Sequence, residues 1–330
     1  MSNGAQRFSA SAPGKVNLHL GVGEARSDGY HDLVSVFQAV DRRETVTLVV
    51  QDAPPVSTGS VVTGMTTTFG VRRPEEHIDA PFNLAWRAVD AVVDEYRRSG
   101  AEIVTALPPV HIEVDKQVFV AGGMAGGSAD AAAALVAADA YLAEFAGSEL
   151  GRDTLHRLAA QLGADVPFSL MGGTALGTGR GDELVEMLTR GSTHWVFLNP
   201  KVGIPTGQAF GLLDDLRHND PALVPRLGTA TVARALTRGD AHELGRAMHN
   251  DLEAAATTMR PILVEILAFA GALPGVARSM VSGSGPTIAL LCRDAAAAEQ
   301  VLGQVRERYP DYESFGATGP VSYTHLRAHE

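Results

Sequence analysis

Apolar and polar positions alternate most cleanly near the start of the chain. Val16, Leu18, Leu20 and Val22 fall on one face of an extended segment, and Lys15, Asn17 and His19 fall on the other. Residues 8–22 are therefore expected to form a strand pair or one long bent strand. Further strands are expected at 45–50, 110–115, 195–198 and 287–292. Leu84, Trp86, Val89, Val92, Val93 and Tyr96 recur at helical spacing and predict a helix over 83–98. The same reasoning predicts helices over 128–145, 154–162, 230–236, 241–248, 261–269 and 295–306. Residues 51–70 are rich in Ser, Thr, Gly and Pro and read as a loop or a variable edge hairpin. Residues 167–176, with Gly172 and Gly173 inside, read as a joint between two halves. Strands and helices mix without regular strand–helix–strand alternation, which favours an α+β fold. No internal repeat is visible.

Composition narrows the function classes. The chain has 330 residues and a formal net charge of −11, so a general nucleic-acid or anionic-membrane surface is not expected. An anionic substrate would need a local positive pocket. The single cysteine, Cys292, sits in the apolar run TIALLC, is expected to be a buried strand residue, and fits a reducing compartment. No apolar signal core stands at the N-terminus and no run reaches the length of a membrane span, so a soluble cytoplasmic protein is expected. Only three of the 27 basic residues are lysines, Lys15, Lys116 and Lys201, which draws attention to their surroundings.

The stretch VFVAGGMAGGSADAAAAL, residues 118–135, sets Gly122, Gly123, Gly126 and Gly127 directly before a run of good helix formers. Ser128 suits an N-cap, so the helix is expected to start there. A glycine loop feeding a helix start is either a tight strand-to-helix turn or a phosphate site. No Lys-Ser or Lys-Thr follows the glycines, so it is no Walker A loop. Met124 and Ala125 fall where a dinucleotide fingerprint needs glycines, and the protein-kinase signatures are missing. SAPGKVN sets Lys15 after a Pro-Gly bend, and LGADVPF sets Asp165 between Gly163 and Pro167. Taken alone, Lys15 could be a solvated strand-end lysine and Asp165 a turn or capping residue. A kinase of small alcohols needs such a pair, a carboxylate to accept the hydroxyl proton and an ammonium to balance charge. Tyr30, His31 and Phe37 follow an Asp-Gly turn and suit stacking on a flat ligand or ordinary core packing.

PGKVN, GGMAGGSADAA and SGSGPT stand in the order of the three motifs of the GHMP kinases, which the chain resembles from about residue 11 to about 316. Within that superfamily, RSDGYHDLVSVFQAVD, NLAWRA, LGADVPF, GIPTGQAF and HNDLE look like the 4-diphosphocytidyl-2-C-methyl-D-erythritol kinases. The resemblance implies a two-domain fold, with a ribosomal-S5-like ATP-binding domain over 1–175 and a ferredoxin-like substrate domain over 176–320. The active site would lie in the cleft between them. It implies a small-molecule kinase that uses ATP, with Mg²⁺ carried on the nucleotide, and a substrate bearing a cytidine diphosphate group. No nucleic-acid or membrane partner and no metal-ligating residue is expected.

By the same resemblance, Lys15 and Asp165 are the catalytic pair. Asn83, Leu84 and Lys116 match positions near adenine and ribose. Val120, Ala121, Gly122, Gly123, Met124, Ala125, Gly126, Gly127, Ser128, Ala129 and Asp130 would wrap the phosphates, with Met124 packing outward. Tyr30 and Phe210 would sandwich the base, with His31 at its polar edge, and Asn17, Phe37 and Thr206 would line the other end of the substrate. A homoserine or mevalonate-type alcohol is the alternative substrate, which the Tyr30–His31–Phe210 set argues against. A non-catalytic ATP-binding protein is opposed by the presence of both Lys15 and Asp165, and a nicotinamide dehydrogenase by the missing fingerprint. Residues 321–330, VSYTHLRAHE, follow no pattern in the rest, resemble translated adapter sequence and are expected not to be native. His325 and His329 there receive no metal role.

Overall fold

The computed structural model describes residues 5–26, 29–99, 106–322 and 324–327. Asp28 of the expected Asp-Gly turn, His329 and the side chain of His325 lie outside them. The first part of the chain runs β1 (Arg7–Ala25), β2 (His31–Val50), β3 (Val62–Phe69), α1 (Leu84–Arg98), β4 (Val110–Lys116), α2 (Gly126–Ala146), α3 (Arg152–Leu162), α4 (Val166–Met171), β5 (Thr174–Thr178) and β6 (Glu183–Glu186). The second part runs β7 (Thr193–Asn199), α5 (Thr206–Asn219), α6 (Ala230–Arg238), α7 (Ala241–Ala247), β8 (His249–Asn250), α8 (Glu253–Met259), α9 (Ile262–Gly271), β9 (Val276–Val281), β10 (Ile288–Cys292), α10 (Ala295–Arg308), β11 (Glu313–Gly319) and β12 (His325–Arg327).

β1 and β2 form a long antiparallel pair from Arg7↔Val49 to Ala25↔His31, with register shifts at Pro13/Gly14, Asn17/His19 and Val22/Ala25. These bulges bend the strand and re-aim side chains beside the site. β4 adds to the far half of β2, and β3 runs parallel to β4 at the sheet edge. The 51–70 segment thus contributes an edge strand and not a hairpin. β5 and β6 extend the near half of β2, so residues 174–186 belong to the first sheet. β12 pairs with β1 at Ser9–Ser11. A second sheet has the order β11-β7-β10-β9.

α2 packs its alanines against the first sheet and is buried on most of its circumference. Phe8, Val46, Leu48, Val92, Ile112 and Leu135 belong to that core. A second cluster, including Leu198, Leu213, Leu263 and Leu290, fills the later half of the chain. A third joins the two sheets, with Val16 and Leu18 of β1 against Trp195 and Phe197 of β7. Cys292 is buried as expected, and burial pushes its thiol up to about 12. Among the described residues no helix is long and apolar enough to cross a membrane.

Candidate active site

β1 carries Lys15 into the interior next to a bulge. Its side chain is only 6% exposed, and its ammonium donates to Asn17 Oδ1 at 2.6 Å. Asn17 in turn donates to Ser35 Oγ at 2.8 Å, and Ser35 donates to the His19 carbonyl at 2.9 Å. The chain of bonds fixes Asn17 so that its oxygen faces the lysine. The ammonium also lies 5.5 Å from the centre of the Phe37 ring, which packs on Phe168. Asp165 follows the Gly163 stop of α3 and stands at the N-cap of α4. Its side chain makes no capping bond. Its carboxylate instead faces Lys15 at 3.8 Å.

The glycine loop lies on the other side of the lysine. The Lys15 backbone N–H donates to the Met124 carbonyl at 3.1 Å, so β1 and the loop are tied together. Ala121, Gly123 and Ala125 all have positive φ, at 52°, 75° and 58°. Two non-glycine residues in that region mark a loop held against its local preference, as is common where a ligand is bound. α2 begins at Gly126, two residues before the expected Ser128. Its cap is Ala125 in the left-handed conformation, with no side-chain hydrogen bond. The first N–H groups of a long helix are thereby left for an anion. Gly123 also touches the later loop at 282–285. A Cβ there would lie 2.1 Å from the Ser282 carbonyl oxygen, and Ser282 Oγ donates to the Gly123 carbonyl at 3.2 Å.

The cleft has two lobes. The first, about 480 Å³, is lined by Lys15, Asn17, Phe37, Leu84, Ala121–Gly123, Ala125–Ser128, Asp165, Thr206, Phe210 and Gly283–Gly285, among others. The second, about 580 Å³, is lined by Tyr30, His31, Phe210, Asp214 and neighbours. Leu33, Ala164, Arg180, Thr206 and Phe210 line both. In the second lobe the His31 and Phe210 rings are 5.2 Å apart and tilted by 31°. His31 Nε2 lies 2.9 Å from Asp214 Oδ1, while Tyr30 is 59% exposed at the rim. Thr206 Oγ1 lies 2.9 Å from Ser284 Oγ and so bridges α5 to the later glycine loop.

Several expected nucleotide residues do not line the cleft. Asn83 caps α1, accepting from the Ala85 N–H and donating to the Ile78 carbonyl. Val120 and Ala129 are absent from the lining, and Met124 is fully buried with Val16, Leu18 and Phe119 rather than packed outward. Apolar surface there is worth more inside, and only its carbonyl serves the site. Lys116 is 4% exposed and pairs with Glu44 at 3.1 Å and Asp130 at 2.5 Å. Asp214, Arg180, Ser284, Ser35 and Glu44 were not anticipated from sequence. Ser284 stands in the SGSGPT motif and Ser35 in the RSDGYHDLVSVFQAVD segment, and Asp214 stands four residues after Phe210.

Comparisons with known proteins give the family. Residues 83–173 match the GHMP kinases N terminal domain and residues 232–311 the GHMP kinases C terminal model. The chain is 46% identical to the 4-diphosphocytidyl-2-C-methyl-D-erythritol kinase of Corynebacterium efficiens, over 96% of this chain and 94% of that protein. It is 45% identical to the enzyme of the same name from Nocardia farcinica, over 94% and 93%. A crystal structure of 4-(cytidine 5'-diphospho)-2C-methyl-D-erythritol kinase superposes with a TM-score of 0.69 at 28% identity, over 94% of this chain and 98% of that one. The homoserine kinase of Cytophaga hutchinsonii shares the fold, with a TM-score of 0.67 at 18% identity over 97% of each chain. The chain belongs to the 4-diphosphocytidyl-2-C-methyl-D-erythritol kinase family of the GHMP kinases.

Proposed function

We propose that this chain transfers the terminal phosphoryl group of ATP to the 2-hydroxyl of 4-diphosphocytidyl-2-C-methyl-D-erythritol, giving the 2-phosphate and ADP in the non-mevalonate route to isoprenoid precursors. One observation carries the proposal. Lys15 and Asp165 face each other at 3.8 Å in the phosphate-loop lobe, and Ala164, next to Asp165, lines both that lobe and the aromatic one.

Asp165 accepts the proton of the 2-hydroxyl as that oxygen bonds to the γ-phosphorus. The bond from the γ-phosphorus to its bridging oxygen breaks, and ADP leaves with the electron pair. Lys15, held by Asn17, supplies fixed positive charge beside the reacting oxygens. The loop N–H groups and the start of α2 hold the phosphates. Leu84 lies against Gly127 at the nucleotide end. Tyr30 and Phe210 stack on the cytosine, His31 meets its edge, and Asn17, Phe37 and Thr206 line the methylerythritol end. Magnesium would enter on the ATP phosphates and water, where a strongly hydrated ion needs few protein ligands.

The division we propose sets an ATP-binding half at 1–175 against a substrate half at 176–320, with β5 and β6 hydrogen-bonded across it, residues 321–330 non-native, and a cytoplasmic location. The test is a coupled ADP-release assay on the cytidyl substrate, homoserine and mevalonate. Turnover on the cytidyl substrate alone is expected. Turnover on another alcohol would keep the Lys15–Asp165 pair and discard the roles of Tyr30, His31 and Phe210.

A further inference from the structure

A buried charge cluster lies directly behind the phosphate loop. Glu44, in the middle of β2, is 0% exposed. One of its oxygens accepts the Gln117 N–H at 2.8 Å, and the other accepts the Val118 N–H at 3.3 Å. Lys116, the last residue of β4, stands 3.1 Å from Glu44 and donates to Asp130 Oδ2 at 2.5 Å. Asp130 is in the second turn of α2 and is buried. Its other oxygen has no hydrogen-bond partner. A Cβ on Gly126, the first residue of α2, would lie 3.0 Å from Glu44 Oε1 and 3.4 Å from Lys116 Nζ. The cluster therefore touches both ends of the loop, its first two N–H groups and the helix start that receives it.

The charges do not cancel. Two buried carboxylates face one ammonium, so the cluster is neutral only when it holds one proton. Burial, followed by the charge of Asp130, pushes Glu44 up to about 8, against the pull of Lys116. Burial alone would lower Lys116, but Asp130 and Glu44 together raise it, so it stays charged. Arg42 holds the Gln117 carbonyl at 2.7 Å from the other side of the strand end. Lys116 would have to leave both carboxylates to reach a nucleotide.

We propose that Glu44 is a positioning residue for phosphoryl transfer: through Gln117, Val118, Lys116 and Asp130 it locks the phosphate loop to the start of α2, and the lock holds one proton. The inference rests on the glycine loop being the phosphate site. When the proton leaves, the cluster becomes net negative behind the helix N-terminus and opposes the phosphates. The side chain touches no substrate, and its effect passes through the loop.

The test is ATP binding by titration calorimetry between pH 7 and 9 for the wild type, Glu44→Gln and Asp130→Asn, with thermal melts on each. The wild-type Kd is expected to climb several-fold through about pH 8. Glu44→Gln keeps the shape of the protonated side chain but leaves one amide oxygen for two N–H groups, so it should bind only a few-fold more weakly at pH 7 and should show no such climb. Asp130→Asn leaves one carboxylate for one ammonium, so it should also lose the climb but weaken binding less. If Glu44→Gln does not fold, Asp130→Asn alone decides the point. Variants with the wild-type Kd and pH profile, or a flat wild-type profile, would overturn this inference alone. A wild type that binds no ATP at any pH would overturn the phosphate-loop assignment and this inference with it.

Discussion

Lys15 Nζ lies 3.8 Å from Asp165 Oδ2 and 2.6 Å from Asn17 Oδ1, so the lysine is anchored on one side and faces the carboxylate on the other. The separation from Asp165 is longer than a hydrogen bond, so the lysine does not occupy that carboxylate's oxygens. Asp165→Asn keeps shape and removes the proposed base. We expect kcat to fall by about a hundred- to ten-thousandfold while ATP affinity is retained. Steady-state kinetics with calorimetry on the same sample checks this, and an unchanged kcat would remove the general-base role.

Tyr30 stands 59% exposed in the lobe that also holds the contact between buried His31 and half-buried Phe210. An exposed aromatic contributes little to the fold, so its truncation reports on the ligand. Tyr30→Ala should raise KM for the cytidyl substrate by about ten- to a hundredfold, the cost of one lost stacking face. KM for ATP should stay within twofold, about the scatter of context effects. Equal changes in both constants would argue against a base platform.

Much of this was legible in the chain. β1, β4 and α1 could be placed because each alternates or repeats on one clear face, and α2 because its run of alanines favours a helix. β2 was visible only at 45–50, because residues 35–40 are buried on both faces and lose their alternation. α5 was missed because Gly207 and Gly211 interrupt its pattern, and the Phe210–Asp214 turn went with it. The glycine loop and the Lys15–Asp165 pair announced themselves by motif. Glu44 did not, since a glutamate in a strand reads as solvent-facing until its cross-strand neighbours are known. The family resemblance set Lys116 near the nucleotide, whereas Glu44 and Asp130 draw it inward.

Gly123 should be intolerant of any side chain. Its φ is 75°, and a Cβ would fall 2.1 Å from the Ser282 carbonyl oxygen, which belongs to backbone and cannot swing away. Gly123→Ala must separate the two glycine loops or displace both. We expect a loss of about 1–3 kcal/mol in stability from the strained backbone. ATP affinity should fall further than the stability alone explains. A melt within a degree of wild type, with normal ATP binding, would show that the two loops are not locked together.

The pH dependence of stability should have two sides. On the acid side, burial lowers His19, more than its bond to the Arg226 carbonyl raises it, and His249 adds to the lowering. The unfolded chain then takes the proton first, so stability falls as pH drops through the ordinary imidazole value of 6.5. Burial would raise Asp251, but hydrogen bonds from His249 and from the Val22 and Arg226 N–H groups outweigh it and lower the carboxyl. Its contribution is present above 3.8 and is lost as pH falls below that value. Glu44 has the opposite sign. Its raised carboxyl binds a proton in the fold that the unfolded chain releases near 4.5, so stability falls as pH rises from there toward about 8. Urea unfolding at pH 5, 6, 7 and 8 separates them. His19→Gln keeps a donor for the Arg226 carbonyl and should remove the loss of stability below about 6.5, whereas Glu44→Gln should remove the fall with rising pH across the whole range from 5 to 8. If His19→Gln left the acid slope unchanged, the buried imidazole would not be the group that titrates there.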